Sequence, residues 1–557
     1  MMSSFTPREI ADHHVEAMAD LNPLIGAQLG TRPGDDAMPD FSPDHAETAA
    51  HEVRQTLRAL DTFERQVDAV PRNEARCARL LRERLDAQLS VHEAGEHLRA
   101  VSNIGSPMHV LRSIFQVMPT NTDEDWAVIA RRLGNVADSA KSYQAALAEG
   151  LARGLRAGPS RVTAAIGQLG EWTSGDGWYA SFVVAGPDTQ RDELDAAAAA
   201  ATASLAELRT WMADTYAPAV EDAPEAAGAE RYAVTARQWT GSNLDLLDAY
   251  EWGWGEYRRL ETEIRAEAGR VVSGATPQAA MRHLDEHGDA IVGVDEVRAW
   301  LQQLMDTAMA ELGATHFDLA EPIKTVEAMI APPGSAAAPY YSRPSLDFSR
   351  PGRTWLPTMG ETRFPTWDLV STWYHEGVPG HHLQLAQWTY VADSLSRYQV
   401  SLGQVSATTE GWALYAERLM DELGYLTEPG TRIGYLDAQR MRAVRVVIDI
   451  GMHLELEIPA DSPIAPGERW TPGLAREFFG ANSGRSASFL DSEIIRYLGW
   501  PGQAISYKLG ERAWLAGRDA ARSRLGADFD LKAWHMAALS LGSLGLDDLS
   551  DELAALP

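Results

Sequence analysis

The chain has 557 residues, a formal net charge of −30 at pH 7 and a single cysteine. The negative charge argues against a nucleic-acid backbone or an anionic membrane as partner, because both repel an acidic surface. One cysteine excludes an internal disulfide and a Cys-rich metal site.

The first residues, MMSSFTPREIADHHVEAM, contain no basic segment followed by an apolar run, which predicts that no secretory signal is present. No apolar run in the sequence is long enough to span a bilayer. We therefore expect a cytoplasmic protein without membrane or nucleic-acid partners. The sequence leaves the oligomeric state open.

Most of the first half of the sequence has the pattern of amphipathic helices. Apolar residues recur at three-to-four spacing over 74–95 and 123–151, and an Ala-rich stretch over 192–218 favours helix through its composition. Near residue 320 the pattern changes. Residues 323–359 combine β-branched and aromatic residues with Pro and Gly, which predicts short strands and loops.

The helical pattern returns at TWDLVSTWYHE and continues to the end of the sequence. We therefore expect a mainly α protein with one small β-sheet placed just before a cluster of histidines. The expected organisation is a single large unit over 1–557, with approximate halves 1–315 and 316–557.

The stretch WYHEGVPGHHLQ places His375 directly before Glu376, and His381 and His382 shortly after them. A hydrolytic zinc centre needs about three protein ligands, an open position for water and a base for the proton of that water. The zinc motif H-E-x-x-H places its two histidines on one helix face. Here the separation of six or seven residues would turn the second histidine by ~120°, or move it ~10 Å along a regular helix.

A regular helix is not expected at Pro379 and Gly380. The proline ring would clash with the carbonyl four residues earlier, and the glycine allows dihedral angles that other residues avoid. We therefore predict a bulge at 378–380 that shortens the distance between the histidines. His381 is the expected second ligand, and His382 is the alternative.

A third ligand is expected on the following helix, whose sequence begins SATTEGWALYAE. Glu410 lies in the first turn of that helix, where the helix dipole also stabilises a carboxylate. Glu417, two turns further along, is expected to be exposed or to support the ligands from outside. The cluster predicts one bound divalent ion, Zn²⁺ in the first instance and another divalent metal as the alternative.

Four segments of the chain, YHEGVPGHHLQ, EGWALYAE, DIGMH and RYLGWPGQAISYKLG, resemble the bacterial family catalogued as domain of unknown function 885. ADLNPLIGAQLG and SRPGRTW fit as well, so the resemblance covers nearly the whole chain. That family is similar to the helical zinc peptidases of the thimet oligopeptidase, carboxypeptidase Taq and angiotensin-converting enzyme group. The chain departs from those relatives in its histidine spacing.

The resemblance implies a large helical zincin-like (neurolysin-like) fold, with a deep cleft and a small sheet at the edge of that cleft. It implies His375 and one histidine of the 381–382 pair as ligands. It further implies Glu410 as the third ligand and Glu376 as the base.

The same resemblance implies that Tyr507 stabilises the oxyanion that forms when water attacks a substrate carbonyl. The alternative is that Tyr507 is a structural tyrosine of the core. Tyr497 and Lys508 in the same late segment are candidate substrate-binding residues. Arg350, in the stretch before the cluster, is a candidate anchor for a substrate carboxylate. His453 is either a second donor to the reacting carbonyl or part of a structural pair.

We therefore expect zinc-dependent hydrolysis of peptide bonds in short peptides, by a carboxypeptidase, dipeptidase or oligopeptidase. An exposed sheet edge beside the metal would favour peptides, because it can hold an extended chain by backbone hydrogen bonds. One alternative is a metal-dependent amidase or esterase that acts on a small molecule. The other is a metal-free peptide-binding pseudoenzyme.

Overall fold

The computed structural model describes residues 5–66, 70–175, 177–332 and 338–557. The chain is mainly helical, as the sequence predicts. The helices are α1 (Pro7–Leu21), α2 (Pro23–Leu29), α3 (Pro43–Glu64), α4 (Arg72–Glu93), α5 (Pro107–Gln116), α6 (Asp123–Gly134), α7 (Val136–Ala152), α8 (Pro159–Thr173), α9 (Gly177–Val183), α10 (Arg191–Trp211), α11 (Ala217–Ala219), α12 (Ala229–Thr240), α13 (Leu246–Val271), α14 (Pro277–His287), α15 (Val294–Thr315), α16 (Leu369–Glu376), α17 (His381–Tyr390), α18 (Arg397–Val400), α19 (Ser406–Glu422), α20 (Pro429–Leu454), α21 (Pro472–Ala481), α22 (Ala487–Gly499), α23 (Ser506–Leu525), α24 (Leu531–Leu539) and α25 (Leu546–Ala555). Within the described residues, no helix has both the length and the apolar character needed to cross a bilayer.

The strands are short and form two small sheets. They are β1 (Ala290–Val292), β2 (Val326–Ile330), β3 (Tyr340–Ser342), β4 (Gly352–Leu356) and β5 (Arg363–Pro365). One sheet has the order β2-β4-β3, with β2 parallel and β3 antiparallel to β4, and β1 pairs with β5 in an antiparallel ribbon.

The predicted strand region over 323–359 contains all three strands of the larger sheet, so the small sheet before the histidine cluster is present. Residues 333–337 of that region lie outside the described residues. The ribbon of β1 and β5 was not predicted, because strands of three residues are too short to show an alternating pattern.

The described residues form two compact units. Unit 1 comprises the described parts of Met1–Asp68, Leu85–Val234 and Asp491–Pro501, and unit 2 those of Ala69–Arg84, Thr235–Leu490 and Gly502–Pro557. Residue 315, the predicted division between halves, therefore lies inside unit 2. Packing of α13 along α20 joins the two sides of that position, with Gly253 against the side chain of Val446.

The core of unit 1 lies among helices α5 to α10 and includes buried aromatic residues. Tyr143 donates from its hydroxyl to the carbonyl of Ala100 at 2.9 Å, and Tyr179 donates to that of Leu111 at 2.7 Å. These bonds satisfy the polar ends of rings that are otherwise packed among apolar side chains.

In unit 2, α19 and α23 approach to backbone contact. A Cβ added to Gly411 of α19 would overlap backbone atoms of Gly510 in α23, and one added to Gly510 would overlap the carbonyl of Ala407. The close approach bears on the predicted site because α19 carries Glu410 and α23 carries Tyr507. The two glycines thus bring two of the predicted site segments side by side.

Replacing Gly411 with alanine is expected to lower the free energy of unfolding by about 1–3 kcal/mol, because the added methyl group must push α19 and α23 apart. The matched control is Gly255→Ala in α13, where nothing lies within 4 Å of an added Cβ. That control should raise stability by up to ~1 kcal/mol, the helix propensity difference between alanine and glycine. Urea unfolding of both variants measures the two changes, and equal shifts would contradict the packing argument.

Candidate metal centre

The helix that carries His375 and Glu376 is interrupted where the sequence predicts a bulge. Helix α16 ends at Glu376 and α17 begins at His381, with a cis peptide bond between Val378 and Pro379. This turn replaces the regular helix that would have separated the two histidines, and the prediction of a bulge is confirmed.

Close contacts hold the turn in place. Gly380 has no room for a side chain, because a Cβ there would overlap the carbonyl oxygen of His375. The indole Nε1 of Trp412 donates to the carbonyls of Pro379 and Gly380, each at 3.0 Å. Since Trp412 lies two residues after Glu410, α19 fixes both the turn and the predicted third ligand.

The turn brings the predicted ligands together. Oε2 of Glu410 lies 3.3 Å from Nε2 of His375 and 3.7 Å from Nε2 of His381. The two imidazole rings are nearly perpendicular, at 84°, with centroids 4.9 Å apart. Glu376 also belongs to this group, since one ligand atom from each of His375, Glu376 and His381 lies within 4.8 Å of the others.

His382, the alternative ligand, is fully buried and uses both ring nitrogens elsewhere. Its Nε2 lies 2.7 Å from the carbonyl of Ile323 and its Nδ1 lies 2.9 Å from the hydroxyl of Tyr341. A carbonyl only accepts, so Nε2 carries the proton and Nδ1 accepts from Tyr341. No nitrogen lone pair is left for a metal, and the geometry therefore favours His381.

Glu417 supports His375 from the side away from Glu410. The side chain is 0% exposed, and its Oε1 lies 2.8 Å from Nδ1 of His375. Its Oε2 accepts from Ser371 at 2.7 Å, and Arg442 Nη2 lies 3.4 Å from Oε1. With Nδ1–H donated to Glu417, Nε2 is the ring nitrogen of His375 that faces Glu410. A carboxylate in this position is typical of histidine ligands in metal sites.

Of the two alternatives that the sequence leaves for Glu417, an exposed acid or a supporting one, the structure shows the second. The contributions of Ser371, Arg442 and Trp412 were not predicted. Only the seven-residue spacing of Glu410 and Glu417 on one helix face is visible in the sequence. The partners of Glu417 come from α16 and α20, which no local pattern connects.

The ionisable groups of the cluster change one another's pKa values. Burial lowers the pKa of His375, but its contacts with Glu410 and Glu417 outweigh that effect and raise the pKa to about 9. Burial raises the pKa of Glu410, but the imidazoles of His375 and His381 hold it well below its usual range. Burial also raises the pKa of Glu376, and there the desolvation prevails.

The donor set fits a divalent cation. Oε2 of Glu410 is buried and has no hydrogen-bond partner among the described residues. Tetrahedral zinc with bonds of ~2.0–2.1 Å separates its ligand atoms by about 3.3 Å, close to the two Glu410–histidine distances. When the histidines are neutral, as metal ligation requires, the carboxylates of Glu376, Glu410 and Glu417 face only the positive charge of Arg442, and a 2+ ion would offset the excess negative charge.

Tyr507 lies half-buried near the start of α23, against two arginines of α20. The guanidinium carbon of Arg445 lies 4.9 Å from the centroid of the Tyr507 ring, and that of Arg442 lies 6.0 Å away. Because Arg442 also contacts Glu417, Tyr507 is linked to the cluster through one intervening side chain. Its role as oxyanion donor stays a prediction.

Lys508 is placed differently from the prediction. The side chain is 0% exposed, and its ammonium donates to Glu256 at 2.9 Å and to Gln439 and Glu511 at 2.5 Å each. Three acceptors use its three N–H groups, so none is left for a substrate carboxylate. The reason is the packing of α13, α20 and α23, which encloses the residue.

The other predicted substrate contacts differ in their exposure. Tyr497 is buried, and its hydroxyl donates to Glu493 at 2.7 Å. His453 is fully buried, with Nε2 3.7 Å from Oδ1 of Asp449, as in the structural alternative. Arg350 is exposed, in the connection between β3 and β4. Of these predicted contacts, only the arginine is accessible to a ligand.

The buried His382 predicts a pH dependence of stability. Burial lowers its pKa to about 4, although the hydrogen bond to the carbonyl of Ile323 opposes the shift. The folded pKa lies below the unfolded value of ~6.5, so the unfolded chain binds the proton first and stability falls as the pH drops from about 6.5 toward 4. Between pH 7 and 5, wild type should lose about 2 kcal/mol more than His382→Gln. Urea unfolding at both pH values measures this difference, and parallel losses would refute it.

Comparisons with known proteins show the family and the fold. A family model described as "Bacterial protein of unknown function (DUF885)" matches residues 23–553. None of the curated proteins matches the chain. Two solved structures share the fold over 98% of the chain. They are a "putative lipoprotein from Colwellia psychrerythraea", with 22% identity, a TM-score of 0.83 and 98% of its own chain covered, and a "putative lipoprotein of unknown function from Shewanella oneidensis", with 16% identity, a TM-score of 0.75 and 99% covered.

Proposed function

This chain belongs to the DUF885 family of bacterial proteins, and we propose that it is a divalent-metal-dependent hydrolase that cleaves peptide bonds in short peptides. The observation that carries the proposal is the convergence of His375, His381 and the orphan carboxylate oxygen of Glu410 beside Glu376. The same proposal includes a zincin-like fold for this chain, related to that of the helical zinc peptidases.

His375, His381 and Glu410 would hold the ion. Two imidazoles and one carboxylate are the ligand set of many catalytic zinc sites, and they leave a position open. The bound ion would act as a Lewis acid that polarises a carbonyl and makes water nucleophilic at neutral pH. Glu417 keeps His375 in the tautomer that offers Nε2.

Glu376 is the proposed general base. It follows His375 at the end of α16 and is half-buried beside both histidines. Its carboxylate would take a proton from the attacking water and return one to the leaving amine. The raised pKa of Glu376 suits this exchange, since a base works best when its pKa lies near the operating pH.

The sheet beside the cluster supports a peptide as substrate. Strand β3 pairs with β4 on one side, and no strand of the described residues pairs with its other side. Tyr341 of β3 reaches His382, next to the proposed ligand His381. The open edge of β3 could therefore hold an extended peptide by backbone hydrogen bonds close to the metal.

The proposal is tested by metal analysis and a peptide library. Protein purified without added metal should contain close to one equivalent of a divalent transition metal. Mass spectrometry should detect cleavage of short peptides by the loaded protein, its loss after chelation and its return with added zinc. A metal content far below one equivalent, with no zinc-induced thermal shift, would refute the metal site. Bound metal without cleavage of any peptide would refute the peptidase assignment.

A further inference from the structure

The segment from β3 to the start of β4 is fixed against the helix of the proposed ligand His381. At one end, the hydroxyl of Tyr341 lies 2.9 Å from Nδ1 of His382. At the other end, Gly352 packs so closely on His382 that an added Cβ would lie 2.7 Å from Nδ1. The connection between these two residues therefore begins and ends beside the metal cluster.

This segment carries three arginines in a chain with 79 acidic and 49 basic residues. Arg353 forms an ion pair with Glu327 at 2.8 Å. Arg343 and Arg350 differ from it, because no carboxylate of the described residues lies within ion-pair distance of either guanidinium. Two uncompensated positive charges in so acidic a protein mark this segment as a place for an external anion.

The acid of the same segment does not neutralise these arginines. Asp347 accepts from the hydroxyls of Ser345 at 2.6 Å and Ser349 at 2.8 Å, and from the backbone N–H of Ser349 at 3.0 Å. Those hydrogen bonds lower the pKa of Asp347 to about 2, so its charge is held within the loop. Within this loop, the carboxylate of Asp347 is therefore hydrogen-bonded to serines, and it forms no ion pair with Arg343 or Arg350.

Arg343 is half-buried and immediately follows strand β3. Its Nη1 donates to the backbone carbonyl of Val400, and burial lowers its pKa. Among the described residues, none forms a hydrogen bond with Nε or Nη2, and neither atom is one of the buried polar atoms that lack a partner, so both have access to solvent. A partly desolvated guanidinium with two free donors binds a carboxylate well, because the planar group can offer parallel hydrogen bonds.

Arg343 and Arg350 both affect the pKa of the Tyr341 hydroxyl. Burial raises the pKa of Tyr341, and the charges of Arg343 and Arg350 oppose that increase. Their field therefore reaches a group that touches His382, beside the proposed ligand. A peptide bound along β3 would meet this positive charge where the strand ends.

We propose that Arg343 and Arg350 bind the free C-terminal carboxylate of a peptide substrate, which makes the protein a carboxypeptidase. The inference rests on the proposed peptidase function and names its substrate class. Strand β3 has only three residues, so the bound peptide segment is short and its terminus falls beside the arginine that follows the strand.

The test uses one peptide with uncharged side chains in two forms. One form has a free C-terminal carboxylate, and the other, called the neutral amide, has a C-terminal amide. Wild-type protein loaded with zinc should cleave the free acid with kcat/KM about tenfold or more above that of the amide, as expected for a hydrogen bond to a charged group. Arg343→Ala and Arg350→Ala should each reduce that ratio toward one, and Arg343→Lys should restore part of it. The matched control is Arg353→Ala, whose guanidinium is already paired, and it should keep the wild-type ratio.

A third peptide, an amide with one glutamate side chain, separates the two sources of a carboxylate. Preference for this peptide over the neutral amide, lost in Arg350→Ala, would overturn the C-terminal assignment in favour of an acidic side chain. Equal cleavage of acid and amide by wild type would overturn the subsite altogether. Failure to cleave any peptide with metal bound would instead refute the peptidase function, and this inference with it. Because Arg350 is exposed, its variant tests the subsite even if Arg343→Ala unfolds.

Discussion

Glu376→Gln is expected to abolish peptide cleavage while leaving the metal bound. Glutamine keeps the shape of the side chain but cannot accept a proton, so water is no longer activated. Removal of a general base typically lowers kcat by about 10²–10⁴-fold. Steady-state kinetics on a peptide that wild type cleaves, together with the metal content of the same sample, measure both parts of the result.

Glu361→Gln provides the matched control, because the same chemical change is made at an exposed position of the same unit. It should leave kcat and metal content unchanged. Cleavage at the wild-type rate by Glu376→Gln would exclude Glu376 as the base. Loss of the metal in that variant would instead identify Glu376 as a ligand, which its position within 4.8 Å of the histidine nitrogens makes a meaningful outcome.

His381→Ala is expected to lose the metal, whereas His382→Gln is expected to retain it. Residues that only support a ligand typically change metal affinity by about 10–100-fold, so removal of a direct ligand should cost about 100-fold or more. His382 uses both of its nitrogens on Tyr341 and Ile323, and glutamine can still donate and accept there. Titration against a chelator of known affinity measures the dissociation constant of each variant.

A comparison of folding separates this effect from general destabilisation. Both variants should be examined by urea unfolding without metal, where His382→Gln is expected to be the less stable because its side chain is fully buried. A folded His382→Gln that binds no metal, beside a His381→Ala that binds normally, would reverse the assignment. Retention of metal by both variants would mean that Glu410 and Glu376 hold the ion with His375.

The sequence alone determined the local features of the site. A proline and a glycine four and five residues after His375 interrupt a helix wherever it is placed, because one lacks an N–H and the other tolerates unusual dihedral angles. Helix periodicity likewise predicted the mainly α architecture, and the change of composition near residue 320 predicted the small sheet. These are properties of neighbouring residues, which short-range sterics and hydrogen bonding fix.

The tertiary structure decided which side chains are available. His381 and His382 are adjacent and identical in type, and they differ only because Tyr341 and Ile323 occupy the nitrogens of the second. Lys508 is a candidate for substrate binding in the sequence, but in the structure α13 and α20 enclose its side chain.

Arg343 and Arg353 belong to the same short segment, yet within the described part of the chain Arg353 alone of the two forms an ion pair, with Glu327 on the neighbouring strand. In each case the outcome depends on contacts between residues far apart in the chain. Those contacts determine whether a polar group is buried and bonded within the fold or is available to bind a ligand.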